Sequence, residues 1–256
     1  MRKLIVASIG LLMQAALQPA AAADVAPAPY YSPYYRPAVV IFTWTGFYFG
    51  AHGGGGWASK DASATQFNVA GVPVIPAAVS IDANGWLAGG QIGANYQVGS
   101  WVFGVEVDAS GANLTGNSTC TSSVLGVAFT SNCQSKVDGL GTVAGRLGFA
   151  VDRALVYGKG GLAWADDSYV LNSTTLSFNG NESRWGWMVG AGFEYSFTDN
   201  WSWKIEYNYL DFGTRAVGFT DTTGLFNFTT NIRERINLVK AGVNYRWGWA
   251  PVGVVY

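Results

Sequence analysis

The chain has 256 residues and a formal net charge of −1, so its charge gives no electrostatic reason to expect binding of DNA or RNA. Only 12% of the residues are Asp, Glu, Lys or Arg, about half of the roughly 25% that is usual in soluble domains. Aromatic residues make up 15% of the chain and include 11 tryptophans. This composition favours contact with lipid over contact with water.

The N-terminal residues predict an exported protein. Arg2 and Lys3 precede an apolar stretch that ends at Leu17, and a run of small residues follows it. The stretch is shorter than the roughly 20 residues that a membrane-spanning helix needs, so an uncleaved anchor is the less favoured alternative. We expect a cleaved signal peptide over residues 1–23 and a Pro/Tyr-rich periplasmic linker over residues 24–43.

Eight later segments alternate between bulky apolar side chains and polar or small ones. This period of two predicts β-strands that have one apolar face and one polar face. The fifth segment fits least well, because Lys159 falls on the same face as Leu155 and Tyr157. Three other residues depart from the alternation of their segments: Leu87, Leu140 and Met188. The predicted strands are Trp44–Trp57, Trp86–Gln97, Trp101–Ser110, Val137–Val151, Ala154–Ala165, Arg184–Ser196, Trp201–Phe212 and Asn237–Trp247.

The connections between these segments alternate in length. The tight turns are residues 98–100, 152–153 and 197–200, and the long connections, rich in Ser, Thr, Asn and Gly, are residues 58–85, 111–136, 166–183 and 213–236. Short periplasmic turns opposite longer extracellular loops are typical of membrane barrels. The sequence therefore predicts an all-β fold, an eight-stranded antiparallel up-and-down transmembrane β-barrel over residues 44–256.

The apolar faces of these strands are expected to point outward, toward lipid. The interior of an eight-stranded barrel is just wide enough for side chains, so it could not also hold this many Trp, Tyr and Phe residues. Rings near the strand ends would form two girdles at the boundary between lipid and water. The predicted girdle residues are Trp44, Trp57, Trp86, Tyr96, Trp101, Trp164, Trp185, Tyr195, Trp201, Tyr209 and Trp247.

The polar faces would bring five acidic and four basic side chains into the lumen. Unpaired charges are costly in so narrow a space, so we expect them to form ion pairs that plug the barrel. The predicted lumen charge network is Glu106, Asp108, Asp138, Arg146, Glu194, Lys204, Glu206, Lys240 and Arg246.

Two cysteines, Cys120 and Cys133, lie in one long connection. An exported protein meets an oxidising compartment, which favours a disulfide over the alternative of two free thiols. Closing so short a loop would contribute about 3 kcal/mol in the chain-entropy description.

His52 is the single histidine and lies on the lumen side of the first predicted strand. A hydrolytic site would need a nucleophile and an acid placed around it, and the sequence shows no such constellation. We therefore predict no catalytic residue, no metal ligand and no cofactor, and interpret His52 as a polar lumen side chain, with metal or haem ligation as the less favoured alternative.

Three motifs resemble small outer-membrane β-barrel surface proteins of Gram-negative bacteria. They are Trp44–Gly50, Gly141–Phe149 and Val239–Trp247. The type most similar is the porin-family, OmpA-like barrel of alpha-proteobacteria. The resemblance implies location in the cell outer membrane, with outer-membrane lipid, lipopolysaccharide and the outer-membrane assembly machinery as partners. That machinery reads a terminal aromatic residue in this family, and here Tyr256 and the strand end Tyr245–Trp247 are both candidates.

Three functions are consistent with this reading. The first is a structural surface protein that stabilises the envelope and presents loops to the outside. The second is a narrow porin-like channel for small solutes. The third, a lipid-modifying enzyme, would need His52, and we expect the protein not to be an enzyme.

Overall fold

A computed structural model describes residues 42–63, 67–69, 72–124, 127–172, 177–221 and 227–247. The predicted signal peptide, most of the predicted linker and residues 248–256 lie outside these ranges. No helix among the described residues is long and apolar enough to cross a bilayer. The strands are β1 (Gly46–Ala62), β2 (Phe67–Val69), β3 (Val72–Pro76), β4 (Val79–Val98), β5 (Trp101–Val124), β6 (Val127–Val151), β7 (Ala154–Asn172), β8 (Ser177–Ser196), β9 (Trp201–Asp221) and β10 (Asn227–Trp247).

Eight long strands close into a ring in the order β1, β4, β5, β6, β7, β8, β9 and β10, and β10 pairs again with β1. Every pairing is antiparallel, so the predicted all-β barrel is confirmed. The short hairpin of β2 and β3 extends this sheet at the upper end of β5. The register is staggered around the ring. A path that starts at Trp57 and passes from each residue to its paired partner on the next strand returns to β1 at Phe47, ten residues earlier. This stagger is the one that tilts the strands of a closed barrel.

The outer surface of the barrel is apolar, whereas the buried charged side chains lie inside the barrel. Phe103, Val189 and Val243 are 50%, 49% and 41% exposed, whereas Lys204 and Glu206 are buried inside. A soluble protein would bury the first set, so the exposed apolar band is the lipid-facing surface of a membrane barrel. The band coincides with the segments that the alternation predicted.

The strands continue well beyond this band, which corrects the four predicted long loops. The connection expected over residues 111–136 is a paired hairpin in which β5 runs to Val124 and β6 starts at Val127. Residues 58–85, 166–183 and 213–236 likewise consist largely of strand. Outside lipid no continuous apolar face is required, so these Ser, Thr and Asn-rich strands lack the alternation that identifies a strand in sequence.

Trp44 is a second correction, because it belongs neither to a strand nor to a lipid-facing girdle. β1 begins at Gly46, whose φ of 144° is a conformation that glycine adopts far more readily than other residues. This turn brings the preceding residues under the short-turn end of the barrel, which we call the periplasmic mouth. Trp44 is fully buried there.

Candidate functional site

The lower half of the lumen contains a network of buried ion pairs. The Lys159 ammonium lies 2.8 Å from Glu106 and 3.2 Å from Glu206. Lys204 bridges the same two carboxylates at 3.1 and 3.2 Å. Four acids and four bases make up this lower ion cluster, so it carries no net charge. Its members are Glu106, Asp108, Arg146, Lys159, Glu194, Lys204, Glu206 and Lys240.

Two tyrosines tie the lower ion cluster together. The Tyr48 hydroxyl donates to Glu106 at 2.9 Å, and the Tyr157 hydroxyl donates to Glu206 at 2.6 Å. The Arg146 guanidinium forms an ion pair with Glu194 and lies 3.6 Å from the centre of the Tyr157 ring. Buried charges are tolerated when most of their remaining donors and acceptors are also bonded. In this cluster the tyrosine hydroxyls supply such bonds, and the Arg146 Nε is a buried nitrogen without a hydrogen-bond partner.

The structure places the predicted lumen charges at three different locations. Seven of them belong to the lower ion cluster. Arg246 is also buried but lies nearer the periplasmic mouth, where it donates to the Ser196 hydroxyl at 3.2 Å and to the Asp199 carbonyl at 3.1 Å.

The third location is the outer surface, so the prediction that Asp138 lies in the lumen is wrong. Its carboxylate pairs with Lys136 at 2.6 Å, and the two side chains are 37% and 46% exposed. A β-bulge between Val137 and Gly139 shifts the register with β7. The bulge adds one residue to β6, so the alternation on its two sides is out of step. A count of the alternation that ignores the bulge assigns the wrong face to the residues on its extracellular side.

Lys159 is the central residue that sequence reasoning missed. The alternation places it on the same face as Leu155 and Tyr157, and all three side chains are buried inside the barrel. The sequence contains a signal for this placement. Val156 and Leu162 are apolar residues on the opposite face of the strand, and that face is the one exposed to lipid.

An apolar layer fills the lumen above the lower ion cluster. The three residues that broke the predicted alternation, Leu87, Leu140 and Met188, all point inward and are buried in it. They depart from the pattern because this level of the lumen is packed with hydrocarbon rather than with charge. The layer comprises Ala58, Ala83, Leu87, Leu114, Val137, Leu140, Ala144, Ala163, Ala165, Met188, Leu210, Phe212, Ile236 and Leu238.

A second charged group, the upper ion cluster, lies on the other side of the apolar layer. Lys60 pairs with Asp167 at 2.8 Å and with Glu234 at 3.0 Å. Arg184 contacts the same two carboxylates at 3.2 and 3.3 Å. Lys60 is three residues beyond Trp57, so the cluster lies outside the lipid-facing band. It was not predicted because three of its members fall in segments assigned to loops.

The periplasmic mouth is closed by the residues that precede β1. The Trp44 amide donates to the Gln97 side chain at 2.7 Å, and its indole donates to the Asp152 carbonyl at 3.3 Å. The Arg246 guanidinium lies 4.7 Å from the ring centres of both Phe42 and Trp44. These contacts connect the end of β4, the β6–β7 turn and the last strand through Phe42 and Trp44.

His52 is buried in the lumen, on the face where the sequence placed it. Its Nδ1 lies 2.5 Å from the side-chain amide oxygen (Oε1) of Gln91, and its Nε2 lies 2.7 Å from the Ser110 hydroxyl. Both ring nitrogens are therefore engaged by buried neighbours. Within the described ranges no group of three or more His, Cys, Asp or Glu side chains is arranged to hold a metal ion.

Cys120 and Cys133 are joined by a disulfide that links β5 to β6, with a Cα–Cα distance of 5.8 Å. Cys120 lies opposite Ser131 in the register, so the bond runs diagonally across the two strands. It joins β5 and β6, the two longest of the described strands, well beyond the lipid-facing band.

The outer face just beyond Trp57 carries a polar rim. Ser80 donates to Asp61 at 2.6 Å, and Ser59 donates to Asp82 at 3.1 Å. Arg235 also pairs with Asp61 at 2.7 Å. The Ser80 hydrogen bond and the neighbouring guanidinium hold the pKa of Asp61 below its usual value.

A closed β-barrel with an apolar outer band and an enclosed polar lumen defines an integral outer-membrane protein. The family model of the outer-membrane protein β-barrel domain matches residues 9–247, and the chain belongs to this family. The protein is accordingly located in the outer membrane, and the resemblance noted in the sequence is confirmed.

Curated relatives agree with this assignment. The 31 kDa outer-membrane immunogenic protein of Brucella melitensis is 31% identical over 253 residues, which cover 96% of this chain and 100% of that protein. The 25 kDa outer-membrane immunogenic protein of Brucella abortus is 26% identical over 208 residues, 80% of each chain.

Solved structures with a similar arrangement include the outer membrane protease OmpT from Escherichia coli, at 8% identity and a TM-score of 0.48 over 80% of this chain and 98% of that one. The outer membrane protein OprG from Pseudomonas aeruginosa has 12% identity and a TM-score of 0.43, and the match covers 80% of this chain and 99% of that one.

Proposed function

We propose that this protein is a structural surface protein that stabilises the outer membrane and presents its extracellular hairpins to the outside. The observation that carries the proposal is the filled lumen. From the periplasmic mouth upward it contains the Phe42 and Trp44 plug, the lower ion cluster, the apolar layer and the upper ion cluster. Such a stack gives rigidity to the barrel and offers little space to a solute.

The filling argues against the alternative of a channel. Water and ions would have to cross the apolar layer, and a hydrophobic constriction of this kind excludes water. The lower ion cluster balances four acids with four bases, so it offers no excess charge to attract an ion of either sign.

The outer surface supports lipid and lipopolysaccharide as partners. Arg233 and Arg235 lie on the outward face of β10 beyond the level of Trp57, and both side chains are partly exposed. Guanidinium groups above an aromatic girdle are suited to the phosphates of outer-leaflet lipids. The outer-membrane assembly machinery is the second proposed partner. The machinery would read the exposed Trp247 at the end of β10 as the terminal aromatic signal. The other candidate, Tyr256, lies outside the residues that the structure describes.

The extracellular hairpins are the proposed antigenic surface. The relatives from Brucella are named as immunogenic proteins, and here the strands that extend beyond the lipid band are the part of the chain that antibodies could reach. The β5–β6 hairpin consists of the two longest described strands and is fixed by its disulfide.

Two measurements on one set of strains test this proposal. The purified protein should give no conductance steps in planar bilayers, and deletion of its gene should make cells more sensitive to deoxycholate. Both the wild-type gene and a His52→Ala variant should restore resistance with an unchanged lipid A profile, since His52 has no chemical role in the proposal. Stable conductance steps together with unchanged detergent sensitivity would reject the structural role in favour of a channel.

A further inference from the structure

Glu182 adds a third acid to the upper ion cluster. Arg184 contacts its carboxylate at 2.8 Å, in addition to the carboxylates of Asp167 and Glu234. Three carboxylates therefore share two cations, Lys60 and Arg184. The side chains of Asp167 and Glu234 are completely buried, and that of Glu182 is 20% exposed. If all three acids were ionised, the group would hold one excess negative charge inside the barrel.

The layers around the cluster supply no charge that balances this excess. The apolar layer lies below it, and a second buried apolar cluster that includes Tyr169 lies above it. Burial raises the pKa of Tyr169, so its hydroxyl stays protonated and accepts hydrogen bonds from Lys60 and Arg184 at 3.3 and 3.0 Å. On β9 the register partner of Glu234 is Gly213. Arg215 follows on the same face, but it is exposed and forms no ion pair with a described residue.

Charges elsewhere at the extracellular end also lie outside the cluster. The connections that lie outside the described ranges, residues 64–66, 70–71, 125–126, 173–176 and 222–226, contain no titratable residue. Asp221 ends β9, two residues beyond Phe219. Charged side chains on the outer face of the wall are Asp61, Asp82, Lys136, Asp138, Asp166, Asp211, Arg233 and Arg235. The excess must therefore be balanced within the cluster, and uptake of one proton by a carboxylate achieves this.

Glu234 is the carboxyl group placed to take up that proton. Both of its oxygens are buried and accept no hydrogen bond from a described residue, although the Lys60 ammonium lies 3.0 Å from one of them. A buried carboxyl group that accepts no hydrogen bond favours its neutral form. Burial raises the pKa of Glu234 to about 7, with Lys60 opposing the rise and Asp167 adding to it. An exposed glutamate has a pKa of about 4.3, so Glu234 changes its charge near neutral pH.

The longest break in the pairing of any two ring strands lies at the same level. None of residues 180–186 of β8, all of which are described, has a register partner on β9, although each of them pairs with β7. Arg184 lies within this stretch and reaches Glu234 on β10 at 3.3 Å. On the other side of the break, β9 remains paired with β10. Ion pairs between side chains therefore connect the two sides of the wall where a backbone ladder does not.

We propose that the upper ion cluster is a proton-operated latch, which closes the wall between β8 and β9 when Glu234 is protonated and lets it open when Glu234 is ionised. With the proton bound, two carboxylates balance two cations. Without it, the excess charge is relieved when the wall parts and water enters. A group whose pKa is raised in one state favours that state below the raised pKa, so the closed wall is lost as the pH rises through about 7. The apolar layer, on which the structural role rests, stays in place.

Distances between two spin labels on the full-length protein in lipid nanodiscs test the proposal. The labels are attached to Asn181→Cys on β8 and Ala216→Cys on β9, positions at which both side chains are exposed, and no reductant is used, so that the disulfide stays intact. Glu234→Gln imitates the protonated acid, and Glu182→Gln removes the excess charge. Asp138→Asn, which changes an exposed acid on the outer face, is the matched control. Heat-modifiability on SDS gels verifies that every variant is folded.

In the wild-type protein, a longer distance should be at least about threefold more populated at pH 8.5 than at pH 5.5, with a midpoint near pH 7. Asp138→Asn should respond in the same way. Glu234→Gln and Glu182→Gln should keep the shorter distance at both pH values, because each of them restores the charge balance.

A wild-type distance that does not change with pH, or that lengthens on acidification, would overturn the proposal. A response that survives in Glu234→Gln would overturn it as well, because another group would then be the one that titrates. If Glu234→Gln does not fold, a response that survives in Glu182→Gln has the same consequence. Each of these failures would leave the conductance and detergent results of the proposed structural role unchanged.

Discussion

Replacement of Lys159 by methionine is the sharpest test of the lower ion cluster. The ammonium lies 2.8 Å from Glu106, 3.2 Å from Glu206 and 3.8 Å from Asp108, and its side chain is 1% exposed. Methionine preserves much of the apolar stem but leaves these carboxylates with one cation fewer. Removal of one partner from a buried ion pair costs about 3–5 kcal/mol, so Lys159→Met should lower the free energy of unfolding by about that amount.

The assay is urea unfolding of protein folded into lipid vesicles, followed by tryptophan fluorescence and by gel mobility. The matched control is Lys136→Met, which breaks the exposed pair with Asp138 and should cost at most about 1 kcal/mol. The double variant Lys159→Met/Glu106→Gln restores the charge balance and should recover part of the lost stability, because residues in contact are coupled. A Lys159→Met protein within about 0.5 kcal/mol of wild type, in the range of an ordinary surface substitution, would refute the reasoning.

Three further predictions use the same material. Met188→Asp places an unpaired carboxylate in the apolar layer and should destabilise the barrel by about 3 kcal/mol or more in the urea assay; unchanged stability would mean that water already reaches this layer. Trp44→Ala removes a buried ring from the periplasmic mouth and should cost about 3–5 kcal/mol, together with faster proteolysis ahead of β1; a protein as stable and protease-resistant as wild type would show that the plug is not closed. Reduction of the Cys120–Cys133 disulfide should add the mass of two hydrogens and speed cleavage of the β5–β6 hairpin while the gel shift of the folded barrel persists; labelling of both thiols without reductant would contradict the disulfide.

The membrane-spanning part of every strand could be predicted from the sequence because lipid imposes a rule on it. Side chains such as Phe103 and Val105 must be apolar where they face hydrocarbon, while their neighbours Gly104 and Glu106 turn inward, and this produces a period of two. Beyond the lipid the rule ends. The upper part of β5, from Leu114 to Val124, forms a strand because it pairs with β6. Its Ser, Thr and Asn-rich composition, taken alone, predicts a loop.

The charged lumen could be predicted in part for the same reason. Glu106 and Lys204 follow the parity of their strands and lie where the alternation places them. Asp138 does not, because a bulge is set by local pairing and leaves no mark in the hydrophobic pattern. Leu87 and Met188 looked like errors in the alternation, but they reveal that one level of the lumen is packed with apolar side chains.

Spin labelling tests the central claim that the apolar faces contact lipid while the charges are enclosed. Labels at Phe103, Val189 and Val243, in protein folded into lipid vesicles, should be relaxed by oxygen dissolved in the bilayer and shielded from a water-soluble nickel complex. Strong relaxation of all three labels by the nickel complex would place these faces in water and would contradict the account.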